Sequence, residues 1–183
     1  MASVSSVWPA SGVETGGTVV TLGGAGFMEG RTACKFGSAA VGMATVLSST
    51  EAICVAPAGA RGSAVVEIVN NYEGQVPSAH ELSTSEKQFT YVSEVVVGVV
   101  MPVASSARGG SVLAVAAKGL QASSTSLCKF GSVVVASESQ TDQFVSCKTA
   151  AGVAGNMTVE VSVNGQDFTA NGALVFATGM NMT

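Results

Sequence analysis

The sequence has few charged residues, few aromatic residues and no long apolar run. Charged residues make up 11% of its 183 residues and aromatic residues 5%. No cluster of lysine and arginine occurs and the net charge is −4, so the basic surface that nucleic acids require is missing. The most apolar stretch, Val95–Val103, is about nine residues long, whereas a membrane-spanning helix requires about 20. We therefore expect no nucleic-acid partner and no membrane insertion by this chain.

Residues that perform catalysis or bind metals are scarce and scattered. The single histidine, His80, lies in a polar segment near Ser83, Ser85 and Glu86. One such loop does not supply the rigid nucleophile turn and oxyanion donors of a hydrolase. The four cysteines include no Cys-x-x-Cys pair, and the acidic residues occur singly, without the spacing of a calcium loop. We predict that the chain has no catalytic, metal-binding or cofactor-binding residues and is not an enzyme.

What the sequence does contain is one pattern that occurs twice. Cys34-Lys35-Phe36-Gly37 returns unchanged as residues 128–131, and each copy precedes a second cysteine, Cys54 or Cys147. Most matching positions are separated by 93 residues, and the separation falls to 87 at the closing strands because the first copy has a longer last loop. A period of this length indicates two copies of one domain. The predicted domains are residues 1–93 and 94–183.

Short apolar runs alternate with glycine-rich turns in both copies. Residues 18–22 and 159–163 show the period of two that is typical of half-buried strands. Many short strands with almost no helical period predict an all-β fold in which each copy is a β-sandwich. The glycine-rich residues 23–26 follow a predicted strand but lack the Gly-Lys-Ser/Thr ending of a phosphate-binding loop, so we interpret them as a bulge or turn.

The order of motifs in each copy resembles the IPT/TIG family of immunoglobulin-like domains. The first copy matches the family pattern at Pro9, Gly16–Thr18, Gly26–Phe27, Cys34–Gly37, Cys54, Pro57 and Phe89–Tyr91. The second copy departs from it, with Ser111 and Leu120 in place of the threonine and phenylalanine, and without the final tyrosine. The resemblance implies two tandem immunoglobulin-like β-sandwiches with an interaction role and no catalytic residues to transfer.

The four cysteines allow three pairings. Pairing within each copy, Cys34 with Cys54 and Cys128 with Cys147, is the simplest because each domain then has its own disulfide bond. Closing a loop of about 20 residues would stabilise each domain by roughly 3 kcal/mol. The alternative is that all four are reduced core cysteines of a cytosolic protein.

Two N-glycosylation sequons occur, one at Asn156 and the other at Asn181. Together with the disulfide bonds they favour an extracellular or cell-surface glycoprotein, with carbohydrate present as attached glycans. The first residues, Met1–Ser6, lack the basic and apolar regions of a signal peptide. We expect the chain to be a fragment of a longer protein, and we expect this fragment to lack a signal peptide of its own.

Three roles are consistent with these patterns. The first is a structural module of a large repetitive cell-surface, ciliary or fibre-forming glycoprotein, whose partners are other protein domains, including neighbouring IPT domains and further copies. The second is a ligand-binding ectodomain fragment of a plexin-like receptor. The third is a pair of accessory domains of a polysaccharide-acting enzyme. Trp8 and Phe27 are interpreted as core or interdomain packing residues, and a carbohydrate-stacking pair is the alternative.

Overall fold

The computed structural model of the chain consists of β-strands joined by turns and loops. It describes residues 2–74, 82–83, 85–121, 126–151 and 155–169, together with the backbone of 174–178. No helix occurs among these residues, and so none that is long and apolar enough to cross a membrane. The all-β fold predicted from the alternating runs is confirmed. The chain divides into two compact units, Met1–Ser93 and Glu94–Thr183.

The strands of the two units follow the same path. Those of the first unit are β1 Ser3–Trp8, β2 Ser11–Val13, β3 Val19–Ala25, β4 Thr32–Phe36, β5 Gly42–Met43, β6 Thr45–Ser48, β7 Glu51–Val55, β8 Gly62–Asn70 and β9 Gln88–Val92. Those of the second unit are β10 Val96–Met101, β11 Ala104–Ser105, β12 Val112–Lys118, β13 Leu127–Phe130, β14 Val133–Gln140, β15 Phe144–Lys148, β16 Gly155–Ser162 and β17 Leu174–Thr178.

The first unit is a sandwich of two sheets. One sheet has the strand order β1-β3-β7-β6 and the other has the order β2-β9-β8-β4-β5. Neighbouring strands are antiparallel except β2 and β9, which are parallel because the chain changes sheet at Pro9, between β1 and β2. Side chains alternate along each strand, so Val20 and Leu22 of β3 are buried between the sheets while Val19 points outward. The core therefore lies between two half-apolar sheets.

Aromatic rings fill one end of this core. Phe89 packs edge to face against Phe36 and Tyr91, with ring centroids 5.3 and 5.1 Å apart. Gly12 lies directly against the same ring, because a Cβ atom there would come within 2.7 Å of Phe89 Cζ and would overlap the buried Thr18 side chain. The glycine on β2 is thus required by close packing.

The glycine-rich stretch after the first alternating run belongs to β3. A Cβ atom on Gly24 would overlap the carbonyl oxygen of Ser3 and come within 2.6 Å of the Phe27 ring. The neighbouring strand β1 has an extra residue, Ser5, opposite Gly23 and Gly24. The bulge lies in the partner strand, and the glycines allow that strand to approach closely.

The second unit differs from the first in how its two sheets are joined. Its strand order is β10-β12-β15-β14-β13-β16-β17-β11, a single series of hydrogen-bonded neighbours. The first half of β14 pairs with β13 and the second half pairs with β15, so one continuous strand passes from layer to layer. In the first unit the corresponding segment is divided at Ala44 into β5, which pairs with β4, and β6, which pairs with β7.

A hydroxyl side chain fastens the loop before the last strand in both units. In the first unit, Ser83 accepts a hydrogen bond from the Ile68 amide at 2.9 Å and donates its own amide to the Ile68 carbonyl at 2.8 Å. In the second unit, Thr169 makes the same two contacts with Val161, at 3.2 and 3.0 Å. Unequal loop lengths hide this correspondence in the sequence.

Candidate interaction surface

The structure contains two disulfide bonds, and each joins the two layers of one unit. Cys34 on β4 is bonded to Cys54 on β7, and Cys128 on β13 is bonded to Cys147 on β15. The Cα atoms are 6.3 Å apart in both pairs, within the ordinary range for disulfides. All four sulfur-bearing side chains are buried in the two cores. These cysteines are structural and are protected from solvent.

The remaining residues singled out from the sequence lie in different places. Asn156 is exposed and is the second residue of β16, so the sequon begins inside a strand and not in the preceding turn. Asn181 and His80 lie outside the described residues. Ser83 is buried and hydrogen bonded, as described above. Within the described part of the chain, no group of three or more potential metal ligands occurs.

The ionisable groups with shifted pKa values have structural contacts. Arg61 donates two hydrogen bonds to the Glu14 carboxylate, at 2.8 and 2.9 Å, which lowers the pKa of Glu14 and raises the pKa of Arg61. The Tyr91 hydroxyl donates to the Pro57 carbonyl at 2.9 Å, and burial raises the pKa of this hydroxyl. The first contact joins two surface turns, and the second fastens the loop at Pro57 to β9 at the edge of the core.

The longer edge strands are irregular, which makes them poor templates for strand addition. The pairing register shifts in β1, β6 and β10, so each of these strands has a bulge. The other edge strands, β2, β5 and β11, have three, two and two residues. Bulges and short edges are the usual means by which sheets avoid pairing with other chains. The structure therefore favours contacts through sheet faces over contacts through strand edges.

The outward side of the β1-β3-β7-β6 sheet exposes several apolar side chains, and we name it the first outer face. Cross-strand pairing places its residues in three rows: Val19 with Val55; Trp8, Thr21, Ile53 and Thr45; and Ser6, Gly23, Glu51 and Ser48. The Trp8 side chain is 60% exposed and the Val55 side chain 58% exposed. Glu51 is the one charged residue in these rows.

The second outer face is the matching side of the β10-β12-β15-β14 sheet. Its rows are Val112 with Lys148; Met101, Ala114, Ser146 and Ser139; Ala116 with Phe144; and Val96 with the exposed Lys118. Lys148 occupies the position of Val55, and Phe144 occupies the position of Glu51. The two faces thus share their geometry but have different charged and apolar positions.

Trp8 does not have the core position that is one of the two packing roles predicted for it from the sequence. Phe27 is buried as expected, but Trp8 points to solvent. Val4 and Trp8 are four residues apart, so strict alternation would put both in the core. The extra residue at Ser5 reverses the alternation, and Val7 then takes the inward position. The exposed tryptophan and the buried phenylalanine cannot form a stacking pair for a sugar.

These observations define the class of protein: two immunoglobulin-like β-sandwiches, each with its own internal disulfide bond. The model of the IPT/TIG domain family matches residues 2–91 and again residues 95–177. The chain therefore belongs to the IPT/TIG family, as two tandem copies. No curated protein sequence is similar enough to be matched.

Two solved structures of the plexin A4 extracellular region have the same fold. For a structure of domains 1 to 10 the TM-score is 0.63 at 18% identity, with 99% of this chain and 16% of the plexin chain aligned. For a structure of domains 1 to 8 the TM-score is 0.57 at 19% identity, with 98% and 18% aligned. The chain spans less than a fifth of either plexin chain, and at these identities the likeness establishes the fold.

Proposed function

We propose that the chain is a non-catalytic, extracellular structural and interaction module within a larger repetitive cell-surface, ciliary or fibre-forming glycoprotein. The observation that supports this most directly is the disulfide bond that joins the two layers in each unit. Such bonds persist in oxidising compartments and are rare in the cytosol. Two copies of the same bond in one chain favour folding in a secretory pathway.

Two further observations agree with an extracellular site of action. The likeness in fold is to domains of the plexin A4 extracellular region. In addition, Asn156 is exposed, on the outward side of β16, where a glycan would meet solvent. We expect Asn156 to be glycosylated in protein that has passed through a secretory pathway, which intact mass before and after enzymatic removal of N-glycans measures. A mass without glycan at this site would remove the sequon as support.

The role in binding rests on the two outer faces. Tryptophan, methionine and phenylalanine are enriched at the centres of protein interfaces, and Trp8, Met101 and Phe144 lie exposed on these faces. Flat sheet faces suit protein partners better than small molecules, which bind in concave pockets. The module therefore contacts other protein domains through sheet faces.

The two other roles make distinguishable predictions. A receptor fragment would be encoded next to a membrane-spanning segment and a signalling domain, which the full transcript would reveal. An accessory domain of a polysaccharide-acting enzyme would be retained on insoluble polysaccharide, and replacing Trp8 with serine would release it. The exposed Trp8 is the observation that keeps the carbohydrate hypothesis testable.

The extracellular location can be tested on intact cells. An antibody against this chain would recover protein from cells treated with an amine-reactive biotin reagent that does not cross membranes. We expect labelling of the native protein without cell lysis, and loss of the antigen when external protease is added. Protein that is labelled only after lysis, while a known surface protein is labelled before it, would contradict the proposal.

A further inference from the structure

The two outer faces have side chains in reverse order along equivalent strands. On β7 the row at one end holds Glu51 and the row at the other end holds Val55. On β15 the row that corresponds to Glu51 holds Phe144, and the row that corresponds to Val55 holds Lys148. Along these two strands the order therefore runs from acidic to apolar in the first unit and from apolar to basic in the second. A further basic residue, Lys118 on β12, lies beyond the Phe144 row.

This reversal makes the two faces complementary when they meet with opposed strand directions. One sheet is turned over about an axis that lies in its plane and is perpendicular to its strands, and is then laid on the other sheet. This keeps the strand order and exchanges the two end rows, with the strands aligned as in a packed β-sandwich. Glu51 then faces Lys148, and Val55 faces Phe144. The middle rows place Trp8 over Met101, two exposed apolar side chains. Each of these three pairings is either a charge pair or an apolar pair.

Neither face has charges that are complementary to its own in this arrangement. Two first faces would place each Glu51 carboxylate against the Val55 of the other copy. Two second faces would place each Lys148 over a Phe144 ring, which is a favourable cation–π contact, but would bring only basic charges together in these rows. A carboxylate that loses water without gaining a hydrogen-bond partner costs free energy. Charge complementarity thus selects the mixed pair.

We propose that the first outer face of one copy of this chain packs against the second outer face of another copy. The inference deepens the proposed function, since it names a further copy as one of the protein partners. Each copy has one face of each kind, so the contact joins different surfaces of the two copies and is a heterologous contact.

The size of the faces indicates that a single contact is weak. Four strands about 4.8 Å apart and three rows about 6.8 Å apart cover roughly 400 Å2 on each copy. The total of about 800 Å2 lies below the roughly 1,200 Å2 at which stable pairwise complexes begin. Association is therefore expected in the micromolar to millimolar range for this chain, and repetition of the units would strengthen it through avidity.

Sedimentation velocity across that concentration range tests the inference with charge-reversed variants. Glu51→Lys and Lys148→Glu should each weaken self-association about tenfold, because like charges then face each other. The double variant Glu51→Lys/Lys148→Glu should restore association to within about threefold of the original. The exposed residues Glu29 and Lys87 lie off both faces, so Glu29→Lys and Lys87→Glu are matched controls that should leave association unchanged.

A variant of the central row provides an independent measurement. Trp8→Thr should weaken association about tenfold or more. Because Trp8 is exposed, the thermal unfolding of this variant should stay close to that of the original chain. A chain that stays monomeric throughout the range, or a double variant as weak as the single ones, would overturn the inference. Surface labelling of intact cells does not depend on self-association, so these failures would leave the extracellular assignment standing.

Discussion

The two units share the contacts that join their layers and differ in the side chains packed around those contacts. Both have a buried disulfide between equivalent strands, and both pair the lysine of Cys-Lys-Phe-Gly with a glutamate on the next strand, at 3.3 Å for Lys35–Glu67 and 3.0 Å for Lys129–Glu160. They differ where β2 or β11 meets the core, and on their outer faces. The shared contacts hold the fold, and the differences make each unit distinct.

The disulfide bonds should have the largest effect and should affect the two units equally. They close loops of 20 and 19 residues, so the loop-closure contributions are nearly identical. Replacing both cysteines of one pair with alanine should lower the free energy of unfolding of that unit by about 3 kcal/mol. Denaturant unfolding of Cys34→Ala/Cys54→Ala and Cys128→Ala/Cys147→Ala measures both values. If only one of the two variants lost stability, the two disulfide bonds would not be equivalent and this account would be contradicted.

Gly12 should have a smaller effect, limited to the first unit. A Cβ atom at this position would collide with Thr18 and Phe89, so Gly12→Ala should destabilise the first unit by about 2 kcal/mol through overpacking. Thr18→Ala removes the hydroxyl oxygen that the added Cβ atom would overlap. Adding Thr18→Ala to Gly12→Ala should therefore recover part of the loss. An unchanged denaturant midpoint of unfolding for Gly12→Ala would contradict this account of the core.

Tyr91 should have the smallest effect and should make the first unit sensitive to alkaline pH. Tyr91→Phe removes the hydrogen bond to Pro57 and should cost about 1 kcal/mol. Burial raises the folded-state pKa, so the contribution is complete below the ordinary tyrosine pKa and is lost as the pH rises through the folded-state value. Unfolding measured from pH 7 to about pH 11 should show this loss in the original chain and in Tyr72→Phe, but not in Tyr91→Phe.

Much of the fold could be predicted from the sequence because the repeat places each strand twice. The alternation of residues 18–22 predicted a half-buried strand, which is β3, and the paired motifs indicated two sandwiches. The outward position of Trp8 could not be predicted, because the bulge at Ser5 is a backbone irregularity that leaves no local pattern. The contacts of Ser83 and Thr169 were also missed, because they lie in loops of different length. The outer faces required the cross-strand register, which only the structure provides.

The most direct test of the extracellular two-sandwich account is the state of the four cysteines in protein from its native source. Free thiols would be blocked on intact material, and peptides would then be mapped without reduction. The account predicts two linkages, Cys34–Cys54 and Cys128–Cys147, with no blocked thiol at these positions. Four alkylated cysteines, or a linkage between the two repeats, would contradict it.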